Sequence, residues 1–326
     1  MFLKNIRMYV YNFVIVLISI ISILSFLEIG LRIKNHVIID YDLEMWKYSK
    51  KLKIAVDEKK INHVHKKNSS AELQKVRINI NSLGMRGTEE DYSEWVSSKN
   101  KILFIGSSIT LGWGVEEKMV MSNVLESLAK SNNLNWATLN GGVGNYNTER
   151  YISNFFENYV DLKPDIVFVQ YFINDAEILD ANKGNFLTRN FHLGVALWKY
   201  FSLMKSDIED ENIYEYYKKV YKKEKQKKIV KNNLSKFSKY CMKNQIRCII
   251  MYIPDLNLIK FEHKLIFARD YVKEISGELD LEFLDLSYKF ENQKNTELTN
   301  SEFNDRHPSS FAHQKMGKEI YNYLIN

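Results

Sequence analysis

The sequence predicts an α/β domain built on a parallel sheet, preceded by one N-terminal transmembrane helix. Three observations lead there. Apolar runs of strand length alternate with longer segments of helical period from Lys101 to the C-terminus, the pattern of strands paired in parallel through helical crossovers. Three of those runs end in glycine, serine or asparagine, the place where open α/β sheets carry their reactive groups. Met8 to Leu27 holds twenty consecutive residues without a charge, enough to span a bilayer core as a helix.

The elements follow in order. Lys4 and Arg7 precede the uncharged run, and Arg32 and Lys34 follow it, so charge alone sets no orientation. The rival reading is a signal peptide. Its apolar region would be shorter, and no small-x-small cleavage site stands before Glu28. An uncleaved anchor spanning 1–32 is therefore expected, with a short tail inside and a long domain outside. Residues 33–77 are polar and without clear period, and read as a juxtamembrane segment. His63 and His65 within it read as an exposed pair without partners. The remaining 78–326 form the expected α/β domain. Its strands are Lys101–Ile105, Asn135–Leu139, Asp165–Tyr171, Ile246–Ile253 and Leu281–Asp285. Helices are expected at Met119–Lys130, at Leu258–Ser276 and at Ser309–Leu324. A helical insertion around 186–244 departs from a minimal α/β domain and is placed to cap a site. Eight lysines between Lys218 and Lys231 read as a solvated helix face. The alternative is contact with anionic headgroups or an acidic glycan.

Composition bounds the function. The 326 residues are 45% hydrophobic and 26% charged, with a net charge of +6. That is ordinary globular composition and gives no case for nucleic acid as a partner. No metal-ligand spacing, phosphate loop or dinucleotide fingerprint is present, so no cofactor and no metal are expected. Cys241 and Cys248 read as two free, buried thiols, although two cysteines in an exported domain can also pair.

Four stretches carry chemistry. Phe104 to Gly114 places Ser108 just past a strand, and a serine hydroxyl becomes a nucleophile only with a base in hydrogen-bond reach. Asn140 to Gly144 holds three glycines, which let backbone N–H groups approach a developing negative charge. Gln170 to Asp175 puts the Asn174 carboxamide at the mouth of the sheet. Asn304 to Pro308 supplies His307 as a base, with Asp305 two residues before it and Pro308 restricting the backbone after it. Each stretch alone also reads as a plain turn. Together they offer nucleophile, base, orienting carboxylate and oxyanion donors.

These four stretches resemble the four blocks of the SGNH (GDSL-like) hydrolase family. The serine block, usually Gly-Asp-Ser, is here Gly106-Ser107-Ser108, and Ile109 to Val115 continue the family pattern. Asn140-x-Gly142 followed by Tyr146-Asn147-Thr148, and Asn174-Asp175, match the next two blocks. The last block usually has aspartate three residues before histidine. Asn304 stands there, and Asp305 follows the shorter spacing that some members use. Asn79 to Gly87 resembles the segment before the serine block in membrane-anchored members. The resemblance covers about Ile78 to Asn326. It implies a three-layer α/β/α sandwich and a serine esterase. Ser108 would be the nucleophile, His307 the base and Asp305 the carboxylate. The Ser108 and Gly142 N–H groups and the Asn174 side chain would form the oxyanion hole. The expected partners are an acyl-ester substrate, glycan or lipid, and the membrane, with the catalytic domain outside the cytoplasm. An O-acyltransferase acting on a surface polysaccharide with the same triad, and an inactive binding module, remain the alternatives.

Overall fold

The computed structural model describes residues 2–179, 186–205, 212–291, 293–303 and 305–326. The chain divides into two compact units. One comprises Met1–Trp46 with Asn182–Asp207, the other Lys47–Ala181 with Ile208–Asn326.

The first unit is helical. Phe2–Val37 is a single helix of 36 residues, and its Ile6–Val37 portion is long and apolar enough to cross a membrane. Asp40 then accepts from the N–H groups of Asp42 and Leu43 at 3.1 and 3.2 Å and caps the helix Tyr41–Leu52. Two further helices, Phe186–Asn190 and His192–Lys205, belong to the same unit. The N–H groups of His192 and Leu193 donate to Glu28 at 3.1 and 2.8 Å. A carboxylate from the long helix thus satisfies the open amides that begin the shorter one.

The second unit is the α/β domain. Its strands among the described residues are β1 (Lys53–Ala55), β2 (His63–His65), β3 (Ser69–Leu73), β4 (Val76–Ile80), β5 (Asn100–Gly106), β6 (Trp136–Gly142), β7 (Ile166–Tyr171), β8 (Arg247–Tyr252) and β9 (Glu282–Asp285). The last five form one sheet in the order β6-β5-β7-β8-β9, parallel throughout. All five sequence-derived strands are present. Both faces are covered. Leu103, Ile105, Val167, Val169 and Ile250 pack into one core. Ile102, Phe104, Phe168, Ile249 and Met251 alternate into the other, as strands buried on both sides require. The chain order around β5 and β7 reverses direction at that pair, which puts the crevice for a ligand beyond their carboxyl ends.

Three local expectations are corrected. Leu258–Ser276 is not one helix: a 3₁₀ segment, Leu256–Lys264, precedes the helix Ile266–Glu278. Asp255 sets that irregular start, accepting from the N–H groups of Asn257 and Leu258. Cys241 and Cys248 are not free but joined by a disulfide, with Cα atoms 6.3 Å apart. Gln245, in the left-handed region at φ 58°, ends the helix Glu224–Asn244 and turns the chain directly into β8, which brings the two sulfurs together. His63 and His65 are buried rather than exposed. They belong to β2, and Tyr48 and Leu52 in the preceding helix are equally enclosed. Residues read as a juxtamembrane segment thus supply part of the α/β unit's interior.

Candidate active site

Ser108 opens the four-residue helix Ser108–Leu111, directly after β5. Its neighbour Ser107 is the N-cap, with a side chain that accepts from the Ile109 N–H. Ser107 also donates through its backbone N–H and its Oγ to Gln170 Oε1, at 2.9 and 2.8 Å. The Thr110 hydroxyl donates to the same oxygen at 3.2 Å. One buried carboxamide on β7 thus holds the turn that presents Ser108. Gly106 admits this packing, because a Cβ there would meet Thr110 Oγ1 at 2.2 Å and Gln170 Oε1 at 2.7 Å. At the other end of the turn Arg86, fully buried, donates to the carbonyls of Leu111 and Gly112 at 2.6 Å and of Val115 at 2.5 Å. A cation at the open carbonyls of a helix end is favourable.

The imidazole arrives from the other end of the chain. Ser108 Oγ and His307 Nε2 lie 2.7 Å apart, and His307 Nδ1 and Asp305 Oδ1 are also 2.7 Å apart. Asp305 Oδ1 accepts from the His307 backbone N–H at 3.0 Å as well. That second bond explains why the two-residue spacing works: the carboxylate folds back over its own chain in a tight turn. The Gln74 Nε2 amide donates to the remaining oxygen, Oδ2, at 2.7 Å. Burial pushes the Asp305 carboxyl up. Its bonds to His307 and Gln74 outweigh that and hold it below the ordinary carboxylate range. Asn300 ties the loop down, with its N–H to the His307 carbonyl at 3.0 Å and its Nδ2 to the Trp113 carbonyl at 3.1 Å. Asn304, at the usual aspartate position, lies outside the described residues.

The glycine stretch corrects one expectation. The Gly142 N–H donates to Asn140 Oδ1 at 3.0 Å, while Asn140 Nδ2 donates to the Thr110 carbonyl at 2.7 Å. This amide is therefore committed inside the protein, and the carboxamide of Asn140 ties β6 to the serine turn. Gly142 serves close approach instead, since a Cβ there would meet Leu111 N at 2.2 Å. Asn174 stands in the 3₁₀ turn Ile173–Ala176 beyond β7. The Ser108 N–H is the first of its helix and so has no intrahelical acceptor.

Several residues with clear roles carried no signal of their own. Gln74 and Lys75, at φ 49° and 61°, form the two-residue turn between β3 and β4. Non-glycine residues rarely hold that conformation, and here it aims Gln74 at Asp305. Gly114 leaves room for it, as a Cβ there would lie 2.3 Å from Gln74 Oε1. Gly144 is gripped on both sides. Its N–H donates to the Tyr48 hydroxyl at 2.9 Å, and its carbonyl meets Lys53 Nζ at 2.7 Å and His63 Nε2 at 3.0 Å. Tyr48 also bonds His65 Nε2 at 2.6 Å and packs edge-on to Trp113, whose ring centre is 6.3 Å from that of His307. Burial holds His63 near a pKa of about 2 and His65 near about 3, so both are neutral. Tyrosine and paired histidines before the first recognisable block gave no spacing pattern to find them by.

No family model matches the sequence, and no curated protein matches it. Among solved structures the chain is similar to the acetylxylan esterase Axe2 from Geobacillus stearothermophilus, at 17% identity and a TM-score of 0.47, over 71% of this chain and 96% of that one. It is similar to the esterase EstA from Pseudoalteromonas sp., at 13% identity and 0.45, over 70% and 100%. It is also similar to TesA, at 9% identity and 0.47, over 69% and 98%.

Proposed function

We propose that this protein is a serine ester hydrolase, held to a membrane by its N-terminal helix, that removes acyl groups from a glycan or lipid outside the cytoplasm. The observation that carries the reading is the unbroken chain Ser108 Oγ, His307 Nε2, His307 Nδ1, Asp305 Oδ1. Nucleophile, base and orienting carboxylate within hydrogen-bond reach are what acyl transfer to serine needs.

His307 takes the hydroxyl proton as Ser108 Oγ attacks the ester carbonyl, and returns it to the leaving alcohol. Asp305 keeps Nδ1 protonated and stabilises the imidazolium that forms. Its low-lying carboxyl keeps it charged through the working range. The Ser108 N–H and the Asn174 side chain are the donors proposed for the tetrahedral oxyanion, each worth about 2.7–4 kcal/mol if losses at comparable sites carry over. Water activated by the same imidazole then releases the acyl group. The long apolar helix supports the anchor. The Cys241–Cys248 disulfide suits an oxidising compartment.

The test is hydrolysis of p-nitrophenyl acetate by the detergent-solubilised full chain. The wild type should turn over and Ser108→Ala should not. Equal rates for the two would remove the proposal.

A further inference from the structure

The helical pair Phe186–Asn190 and His192–Lys205 exposes an apolar surface that the chemistry above does not use. Phe186 is 71% exposed, Trp198 53% and Phe201 56%, with Leu187, Phe191, Leu197 and Tyr200 exposed beside them. On the second helix His192, Val195, Ala196 and Lys199 turn inward, whereas Leu197, Trp198 and Phe201 form a stripe at helical spacing on the outside. An outward face of a soluble protein is polar, and contiguous apolar patches of this kind mark an interaction site. No acidic residue occurs from Phe186 to Lys205, while Arg189, Lys199 and Lys205 do.

The position of this pair relative to the long helix says what covers it. Glu28, the first charged residue after the uncharged run, caps the His192 end. Beyond it Leu31, Asn35 and Ile38 line a hollow of about 300 Å³ with Val195, Ala196 and Tyr200. The two helices therefore run side by side in the same direction from the level of Glu28. At a rise of 1.5 Å per residue, Leu197 stands about 8 Å beyond the level of His192. A bilayer's headgroup layer adds roughly 5–8 Å on each side of its core. Ile29, Ile33 and Val37 stay exposed beyond Glu28, so the apolar surface of the long helix continues into that of the pair.

We infer that the Phe186–Lys205 helical pair is an interfacial element that seats its aromatic face in the headgroup–acyl boundary of the bilayer crossed by Ile6–Val37. The occupant is lipid, because the exposed face is apolar and aromatic and Lys199 is already paired with Asp40 and Asp42. Tryptophan and tyrosine suit that depth, with an apolar body and a polar tip. The inference rests on the anchor reading of the long helix, and the experiment separates the two.

The full chain is placed in nanodiscs of phosphatidylethanolamine and phosphatidylglycerol. Single cysteines, Leu187→Cys, Leu197→Cys and Leu17→Cys, carry an environment-sensitive fluorophore. Lipids bear a quencher either near the headgroup or at mid-chain, and iodide quenches from water. The labels at 187 and 197 should lose about half their emission to the shallow lipid quencher, and the label at 17 should respond to the deep one. Iodide quenching at 187 and 197 without lipid quenching overturns the inference, even while residue 17 reports a span. Protection from both quenchers that weakens as protein is diluted in lipid also overturns it, because a second copy then covers the face. Lipid quenching at 187 and 197 without any at 17 removes the anchor and overturns the inference with it, because the bilayer touched is then not one that Ile6–Val37 crosses. The unlabelled protein gives a second reading: brominated lipid should quench its tryptophan emission, and Trp198→Phe should lose part of that response. An unchanged response would count against the inference.

Discussion

At Ser108 and Ser107 two adjacent hydroxyls do different work. Ser108 Oγ faces the imidazole, whereas Ser107 caps the helix and donates to Gln170. Ser108→Ala should abolish ester hydrolysis and leave the melting temperature close to wild type. Ser107→Ala should cost about 1 kcal/mol of stability as a lost cap and keep kcat within a few-fold. Thermal melts with steady-state rates on both variants decide it, and reversed phenotypes would move the nucleophile by one residue. The carboxylate gives a second contrast. Asp305→Asn should lower kcat by up to about 10⁴, the size seen when a triad aspartate becomes an amide. Gln74→Leu leaves Asp305 charged but strips its second partner, at a cost of about 1.5–3 kcal/mol in stability, with a smaller loss of rate. Near-wild-type turnover in Asp305→Asn would mean a serine–histidine pair working alone. That Ser108, His307 and Asp305 would meet was legible from residue type and order. Gln74 was not, because its role depends on a left-handed turn that its sequence does not announce.

At the scale of elements, strands read well because burial on both faces leaves continuous apolar runs such as Ile102–Ile105 and Val167–Val169. The close fit between them did not read. Gly142 stood among clustered glycines and looked like a donor, yet the Asn140 carboxamide takes its N–H. Only the distance between β6 and the serine turn reveals that. His313, on the last helix, is a similar case. It is fully buried, accepts from the Met121 N–H through Nδ1 at 3.3 Å, and burial lowers its pKa to about 3. The native state therefore binds fewer protons than the unfolded chain between about pH 3 and the ordinary histidine value of 6.5. Stability from this group is fully present above 6.5 and is lost as pH falls toward 3. His63 and His65 contribute with the same sign. In His313→Gln the slope of unfolding free energy against pH should be shallower than wild type across that window. Denaturant melts at several pH values measure it, and identical slopes would mean that His313 is protonated in the folded protein.

For the whole molecule, hydropathy alone announced an uncharged run of spanning length, and the fold class followed from alternation of strand and helix. The boundary between parts did not follow. Polar residues from Lys47 to Leu73 lack a period because they form short strands and a helix that pack through single buried groups, such as Tyr48 against Gly144, rather than along a stripe. A fragment that begins after Val37 should be washed from the membrane fraction without detergent, as an interfacial contact is reversible, while the full chain should need detergent. Fractionation of both forms tests this, and soluble, uncleaved full-length protein would contradict the anchor. The central claim is that Ser108 is the nucleophile of an assembled triad. An alkyl fluorophosphonate incubated with the full chain measures it directly, because only an activated serine attacks phosphorus at neutral pH. Peptide mass spectrometry should find one phosphonyl group, fragmentation should place it on Ser108 rather than Ser107, and His307→Ala should prevent it. No adduct on wild-type protein, or an adduct that persists in Ser108→Ala, would contradict the account.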